Sequence, residues 1–189
     1  MKKQNHEYEF VLSLENGFDD YDRLEGALFK AGCDDATLSL RYGRLFLAFA
    51  REATSYEEAV VSAIADVAKA GTRVHQVDGT DLVTQAEIAR RVGRSRQLIG
   101  QYVAGKRGPG GFPPSDCTIA EGTPVWKWCA VSHCLHQNAM INEATAREAQ
   151  VAWTVNLVLK QSQRSRTSPA TLPEFEAGLA QRVMKVLER

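Results

Sequence analysis

The sequence predicts a mixed α+β chain, and three observations predict it. Apolar and polar residues alternate over Tyr8–Leu14, as in a strand with one buried face. Apolar residues recur at three- and four-residue intervals in several other segments, as in amphipathic helices. A glycine- and proline-rich stretch between residues 105 and 124 then breaks the helical pattern ahead of a short aromatic strand. The 189 residues, 44% hydrophobic and 24% charged, have an ordinary globular balance, which excludes an intrinsically disordered chain and a large multidomain enzyme.

The first strand carries Tyr8, Phe10, Leu12 and Leu14 on one side, and the pair Asn16-Gly17 is expected to end it. Asp19 and Asp20 suit a helix start, Leu24, Ala27, Leu28 and Ala31 follow at helical spacing, and Gly32 closes the segment. Thr37–Tyr42 and Arg44–Ala50, separated by Gly43, read as a hairpin. Ser55 caps a second helix with Glu57 and Glu58 at its positive end and Ala59, Val60, Ala63, Ile64 and Val67 as its apolar stripe, ending near Gly71. A last strand spans Arg73–Val77. The order strand, helix, strand, strand, helix, strand predicts a ferredoxin-like βαββαβ sandwich over residues 1–80. No metal cluster, phosphate loop or activated nucleophile is visible in it. Cys33 beside Asp34 and Asp35 reads as an inert thiol, because neighbouring carboxylates oppose thiolate formation, and the two adjacent acids read as a solvated pair.

Charge is distributed unevenly although the net is zero. Residues 1–83 carry 9 basic and 15 acidic side chains, a net of −6; residues 84–107 carry Arg90, Arg91, Arg94, Arg96, Lys106 and Arg107 against Glu87, a net of +5; residues 108–189 have a net of +1. One concentrated basic segment points to an anion-binding surface.

Within that segment, Thr84 followed three residues later by Glu87 forms a capping box that starts a helix with Ile88, Ala89 and Val92 inward, and Gly93 ends it. Ser95 caps a second helix with Leu98, Ile99, Tyr102 and Val103 inward. Short helices joined by a tight turn cross steeply, so their contact needs a small side chain, supplied by Ala89. This spacing resembles the helix-turn-helix of bacterial transcriptional regulators, with Arg94 standing where an aliphatic residue is common. In such a unit the second helix enters the major groove, which makes Ser95, Arg96, Gln97, Gly100 and Gln101 the candidate base contacts. Arg96 suits guanine, the two glutamines suit adenine, and Gly100 would allow close approach. Thr84, Arg90, Arg91 and Arg94 are the candidate phosphate contacts.

Beyond it, Asp116–Ile119 and Val125–Trp128 predict a hairpin turning at Glu121-Gly122. The pattern from Gly111-Phe112-Pro113 through Val125-Trp126-Lys127-Trp128 to Val131 and Leu135 resembles the wing and closing helix of small winged-helix proteins of the MerR, AlpA and excisionase groups, over about residues 82–136. That resemblance implies a winged helix-turn-helix domain at 81–137, with Lys106, Arg107 and Lys127 on phosphate or in the minor groove and the tryptophans as core anchors. It needs no metal, and Cys117, Cys129, His133, Cys134 and His136 lack the paired spacing of a zinc site.

Residues 138–189 are expected to be helical. Residues 143–160 form an apolar helix, Gln161–Ala170 a mobile linker, and Phe175, Leu179, Val183 and Val186 the stripe of a last helix that packs on the chain or dimerises. The expected function is sequence-specific, double-stranded DNA-binding regulation, as a repressor or an autoregulating antitoxin, with an excisionase-like architectural factor or a partner-binding protein with a DNA-binding module as alternatives. No enzyme activity and no cofactor are expected. A homodimer is expected, with a ligand or protein partner as further options for the N-terminal domain. The basic N-terminus lacks a secretory apolar stretch and no apolar run suits a membrane, so the chain is expected in the cytoplasm, and the resemblance implies a bacterial or phage-encoded, nucleoid-associated protein.

Overall fold

The computed structural model describes residues 4–15, 20–79, 81–108, 110–119, 122–164 and 174–187, the side chains of 164 and 174–177 excepted. The expected turn at Asn16-Gly17, Asp19 as a helix start, Glu121 in the wing turn and the linker residues 165–170 lie outside them. The fold is mixed α+β with antiparallel sheets, and the chain divides into two compact units, Met1–Asp78 with Thr154–Arg189 and Gly79–Trp153. The expected C-terminal segment 138–189 is thus shared between them.

In the first unit the elements run β1 (His6–Leu14), α1 (Tyr21–Ala31), β2 (Ala36–Arg41), β3 (Arg44–Ala53), α2 (Tyr56–Lys69) and β4 (Val74–Val77). The strands form one antiparallel sheet in the order β2-β3-β1-β4. Phe10 stacks on Phe49 with 5.1 Å between ring centroids, and these two with Leu12, Leu14 and Leu47 meet the buried stripes of α1 (Leu24, Leu28) and α2 (Val60, Ile64, Val67). Asp20 and Ser55 cap the two helices through their side chains, as their residue types require. Tyr42 and Gly43, both at positive φ (51° and 74°), make the two-residue turn between β2 and β3.

Arg51 corrects the reading of Asp35 as solvated. Its side chain is buried from β3, and all five of its N–H donors are used: Nε and Nη2 on the two Asp35 carboxylate oxygens at 2.7 and 2.9 Å, Nη2 on the Gly32 carbonyl at 2.8 Å, and Nη1 on Asp66 at 2.9 Å and Ser62 at 3.1 Å. The guanidinium also lies 4.9 Å from the Phe49 centroid. Burial first, then the negative charges of Asp66, Asp35 and Asp34, raise the Cys33 thiol to about 11, against the opposing pull of Arg51.

α6 (Glu143–Arg164) begins in the second unit and ends in the first. Residues 161–164 continue this helix instead of opening a linker, and Gln163 has a partner there, donating to the His75 carbonyl at 3.0 Å. Buried Asn156 completes the edge of β4: its Oδ1 accepts from Val77 N at 2.7 Å and its Nδ2 donates to Val77 O at 3.0 Å. α7 (Glu174–Leu187) packs on α2, burying Leu179 and Val183 and pairing Arg182 with Glu57. Two members of the C-terminal stripe are therefore covered by the chain itself, and the Phe175 side chain lies outside the described residues. Among the described residues, no helix is long and apolar enough to cross a membrane.

Candidate nucleic-acid interface

The second unit contains β5 (Leu82–Thr84), α3 (Gln85–Arg91), α4 (Arg96–Val103), β6 (Cys117–Ile119), β7 (Thr123–Lys127) and α5 (Trp128–Gln137). Thr84 caps α3, its hydroxyl accepting from Glu87 N at 3.3 Å, and Ser95 caps α4 in the same way from Leu98 N at 3.2 Å. The Glu87 carboxylate binds arginines, so only half of the expected capping box forms.

α3 ends in a double closure in which Gly93 N donates to Arg90 O at 3.3 Å and Arg94 N to Ala89 O at 2.9 Å, with Gly93 at φ 61°. The same pair of bonds recurs after α4, from Gly105 N to Tyr102 O and from Lys106 N to Gln101 O. Arg94 and Lys106 thus occupy equivalent positions, one residue beyond the left-handed glycine, and both are exposed.

The core joining these elements is Val83, Ile88, Ala89, Ile99, Trp126, Trp128, Val131, Leu135 and Ala149, with Val92 and Phe112 packed against it. Both tryptophans are buried, and Trp126 Nε1 donates to the Pro113 carbonyl at 3.0 Å while Phe112 meets its ring edge-on. β7 is the central strand of the antiparallel sheet β5-β7-β6. The sequence missed β5, which has only three residues and no alternation to read. The expected strand through Trp128 stops at Lys127: Trp128 opens α5, and Lys127 is its N-cap without a side-chain bond. Val103, expected inward, is 37% exposed because it sits in the last turn of α4, beyond Ile99 and Tyr102.

The expected base contacts divide. Arg96 and Gln97 are exposed in the first turn of α4, and Ser95 is exposed with its hydroxyl already used in capping. Gln97 and half-buried Gln101 lie two positions either side of buried Ile99, hence on the opposite side of the helix. Gly100 is half-buried and faces α3: a β-carbon there would stand 2.7 Å from Gln85 Nε2, which donates to Arg96 O at 2.8 Å. Its missing side chain makes room for that bond between the helices.

The expected phosphate contacts also divide. Arg94, Lys106 and Arg107 are exposed and, like Arg96, have no acidic partner among the described residues. Arg90 is exposed but forks onto Glu87 at 2.8 and 2.6 Å. Arg91 is mostly covered: its Nε bonds Glu87 at 2.8 Å, an Nη bonds the Gly79 carbonyl, and its guanidinium lies over the Trp128 ring. Hydrogen bonds from Arg90 and then Arg91 hold the Glu87 carboxyl at about 2. Lys127 pairs with Asp116 at 2.8 Å, which raises its pKa. Thr84 is half-buried and spends its hydroxyl on the cap. The sequence reading gave Gln85 no role and gave Glu87 only the capping box, although Glu87 three and four places before Arg90 and Arg91 is a legible helix pairing.

Cys134, His133 and His136 have separate partners. Cys134 Sγ donates to Gly111 O, His133 meets Gln137, and His136 Nδ1 meets Ile141 O. Among the described residues, four cations without an acidic partner thus flank α4, Arg94 and Arg96 at its capped start and Lys106 and Arg107 beyond its other end, with amide side chains on the same helix. No protein-family model, curated protein or solved structure matches the chain.

Proposed function

We propose that this chain is a sequence-specific transcriptional regulator that binds double-stranded DNA as a homodimer. In this reading Gly79–Trp153 contains a winged helix-turn-helix, α4 enters the major groove and the β6–β7 hairpin is the wing. The observation that carries it is the placement of Arg94, Arg96 and Gln97, all exposed, around the start of a helix held at both ends by capping bonds. A preordered helix start combines amide donors with side chains long enough to reach base edges, while Lys106 and Arg107 follow the same helix and suit the flanking backbone. Arg90, Arg91 and Lys127 contribute mainly to internal pairing, so the phosphate contacts reduce to Arg94, Lys106 and Arg107. The first unit is read as a ferredoxin-like sandwich, supported by its element order and the sheet order β2-β3-β1-β4. The reading ascribes recognition to the chain and no catalytic step, cofactor or metal.

Selection of binding sites from a random duplex pool tests it. The expected result is an inverted repeat whose half-sites lie about one helical turn, or 34–36 Å, apart. On that site Arg96→Ala is expected to cost about 1–3 kcal/mol and to relax preference at one base pair. Failure of the full chain to enrich any duplex overturns the reading. Equal weakening on every sequence makes Arg96 a phosphate contact.

A further inference from the structure

The two edges of the first unit's sheet are finished differently. On β4, side chains of α6 take the outward-facing groups of Val77 and the His75 carbonyl. On β2, the Asp35 carbonyl accepts from Ala50 N, so odd-numbered residues bond to β3 and even-numbered ones face outward. Two outward groups are used, Leu38 O by the Tyr21 hydroxyl at 2.9 Å and Ala36 N by Cys33 O. The Leu38 and Leu40 N–H groups and the Ala36 and Leu40 carbonyls have no such partner among the described residues. Natural edges are usually blunted by charged side chains, proline or a bulge. β2, ATLSLR, has no proline and no bulge, its one charge, Arg41, stands at its last residue, its register with β3 is regular, and Leu40 is 61% exposed.

We infer that a second copy of this chain pairs antiparallel with β2, centred on Leu38, so that the two four-stranded sheets become one of eight strands. The inference rests on the proposed regulator only in that the regulator requires a dimer, and it names the surface. Charge selects the occupant. Exposed Asp34 precedes the strand and exposed Arg41 ends it, so antiparallel self-pairing sets each copy's Arg41 beside the other's acidic end, whereas a parallel arrangement sets like against like. Centring on Leu38 keeps every residue opposite one of the same face: Leu38 meets Leu38, Ala36 meets Leu40, and Thr37 meets Ser39. The two Leu38 residues exchange N–H···O bonds, and each Leu40 N–H reaches the other copy's Ala36 carbonyl. The second lone pair of Leu38 O leaves the Tyr21 contact in place.

Light scattering on the full chain, with and without Leu40→Lys, tests the surface, together with disulfide trapping. Leu40 is exposed, so its replacement leaves the fold of the single chain intact. For trapping, chains carrying Thr37→Cys are mixed with chains carrying Ser39→Cys, both in a Cys117→Ser background that removes the exposed native thiol. A non-hydrogen-bonded antiparallel pair brings the Cα atoms to about 4.5 Å, within disulfide reach. The expected results are a dimeric parent, self-association at least about tenfold weaker with Leu40→Lys, and a disulfide-linked dimer in the mixture. A dimeric parent with neither effect overturns the β2 interface and leaves the regulator reading intact. A parent that stays monomeric and does not crosslink overturns the interface and the dimeric form of the regulator together, while the site selection above still decides whether the chain recognises DNA.

Discussion

The guanidinium of Arg91 lies over the face of Trp128, 4.9 Å from the ring centroid, and the same side chain bonds Glu87 and the Gly79 carbonyl. Arg91 is thereby built into the second unit, whereas the Arg90 side chain, one residue earlier, bonds Glu87 alone among the described residues and is 73% exposed. Arg91→Ala is expected to lower the unfolding free energy by about 1–3 kcal/mol, and Arg90→Ala to change it far less, because its ion pair is screened by solvent. Urea unfolding of both variants checks this, and equal losses would remove the stacking from the account.

The Arg51 network predicts a larger effect. Asp35→Ala leaves two N–H groups of a buried guanidinium unpaired and is expected to cost about 3–5 kcal/mol. Asp66→Ala is expected to cost less, because Nη1 keeps Ser62 as an acceptor. Chemical denaturation ranks the two, and a cost below about 1 kcal/mol for Asp35→Ala would class the pair with screened surface contacts.

Glu87 sets a pH dependence. Its folded carboxyl is held at about 2 against an ordinary 4.5, so the folded state binds its proton less readily than the unfolded chain does. The stability it contributes is complete above about 4.5 and is lost as pH falls towards 2. Glu87→Gln is expected to flatten that part of the stability–pH curve. An unchanged acid limb in the variant would show that Glu87 is not linked to folding.

Two glycines separate backbone demand from space. Gly93 holds φ at 61° with open space where a β-carbon would be, so Gly93→Ala is expected to cost about 1–2 kcal/mol through the backbone alone. At Gly100 the obstacle is the flexible end of Gln85, and losing its bond to Arg96 O roughly offsets the gain in helix propensity from Gly100→Ala. Thermal unfolding is expected to show a clear drop for the first and little change for the second. DNA affinity that fell sharply with Gly100→Ala at unchanged stability would restore that residue to the groove.

The strands and helices of the first unit were legible because local patterns carry them: alternation over Tyr8–Leu14, stripes in α1 and α2, and glycines or hydroxyl residues at their ends. The Schellman closure at Gly93 was legible for the same reason. Arg51 was not, because an arginine in a strand ordinarily reads as outward-facing, and its partners are collected from the C-cap of α1, the following loop and α2. Asn156 was equally hidden, since an amide inside an apolar helix reveals nothing of a strand edge 79 residues earlier. At the candidate interface, the sequence lists the cations but could not divide them, because the choice between solvent and a buried partner is made by tertiary packing around Trp128 and Glu87. Gln161–Arg164 stayed helical for a related reason: a tertiary bond at Gln163 overrides weak local preference.

The bond between Val77 and Asn156 also has a consequence for synthesis on the ribosome. The first unit comprises two stretches of chain with the whole of Gly79–Trp153 between them, so its sheet is translated long before the helix that finishes the β4 edge. At about 5–20 residues per second, the intervening 79 residues take roughly 4–16 s. During that interval the nascent sheet has an unfinished second edge while the inserted unit, whose core is contiguous in sequence, is free to fold first. A neighbouring nascent chain can pair at β4 only within this window, so slowing translation between residues 78 and 156 is expected to increase misassembly without altering any contact of the finished protein.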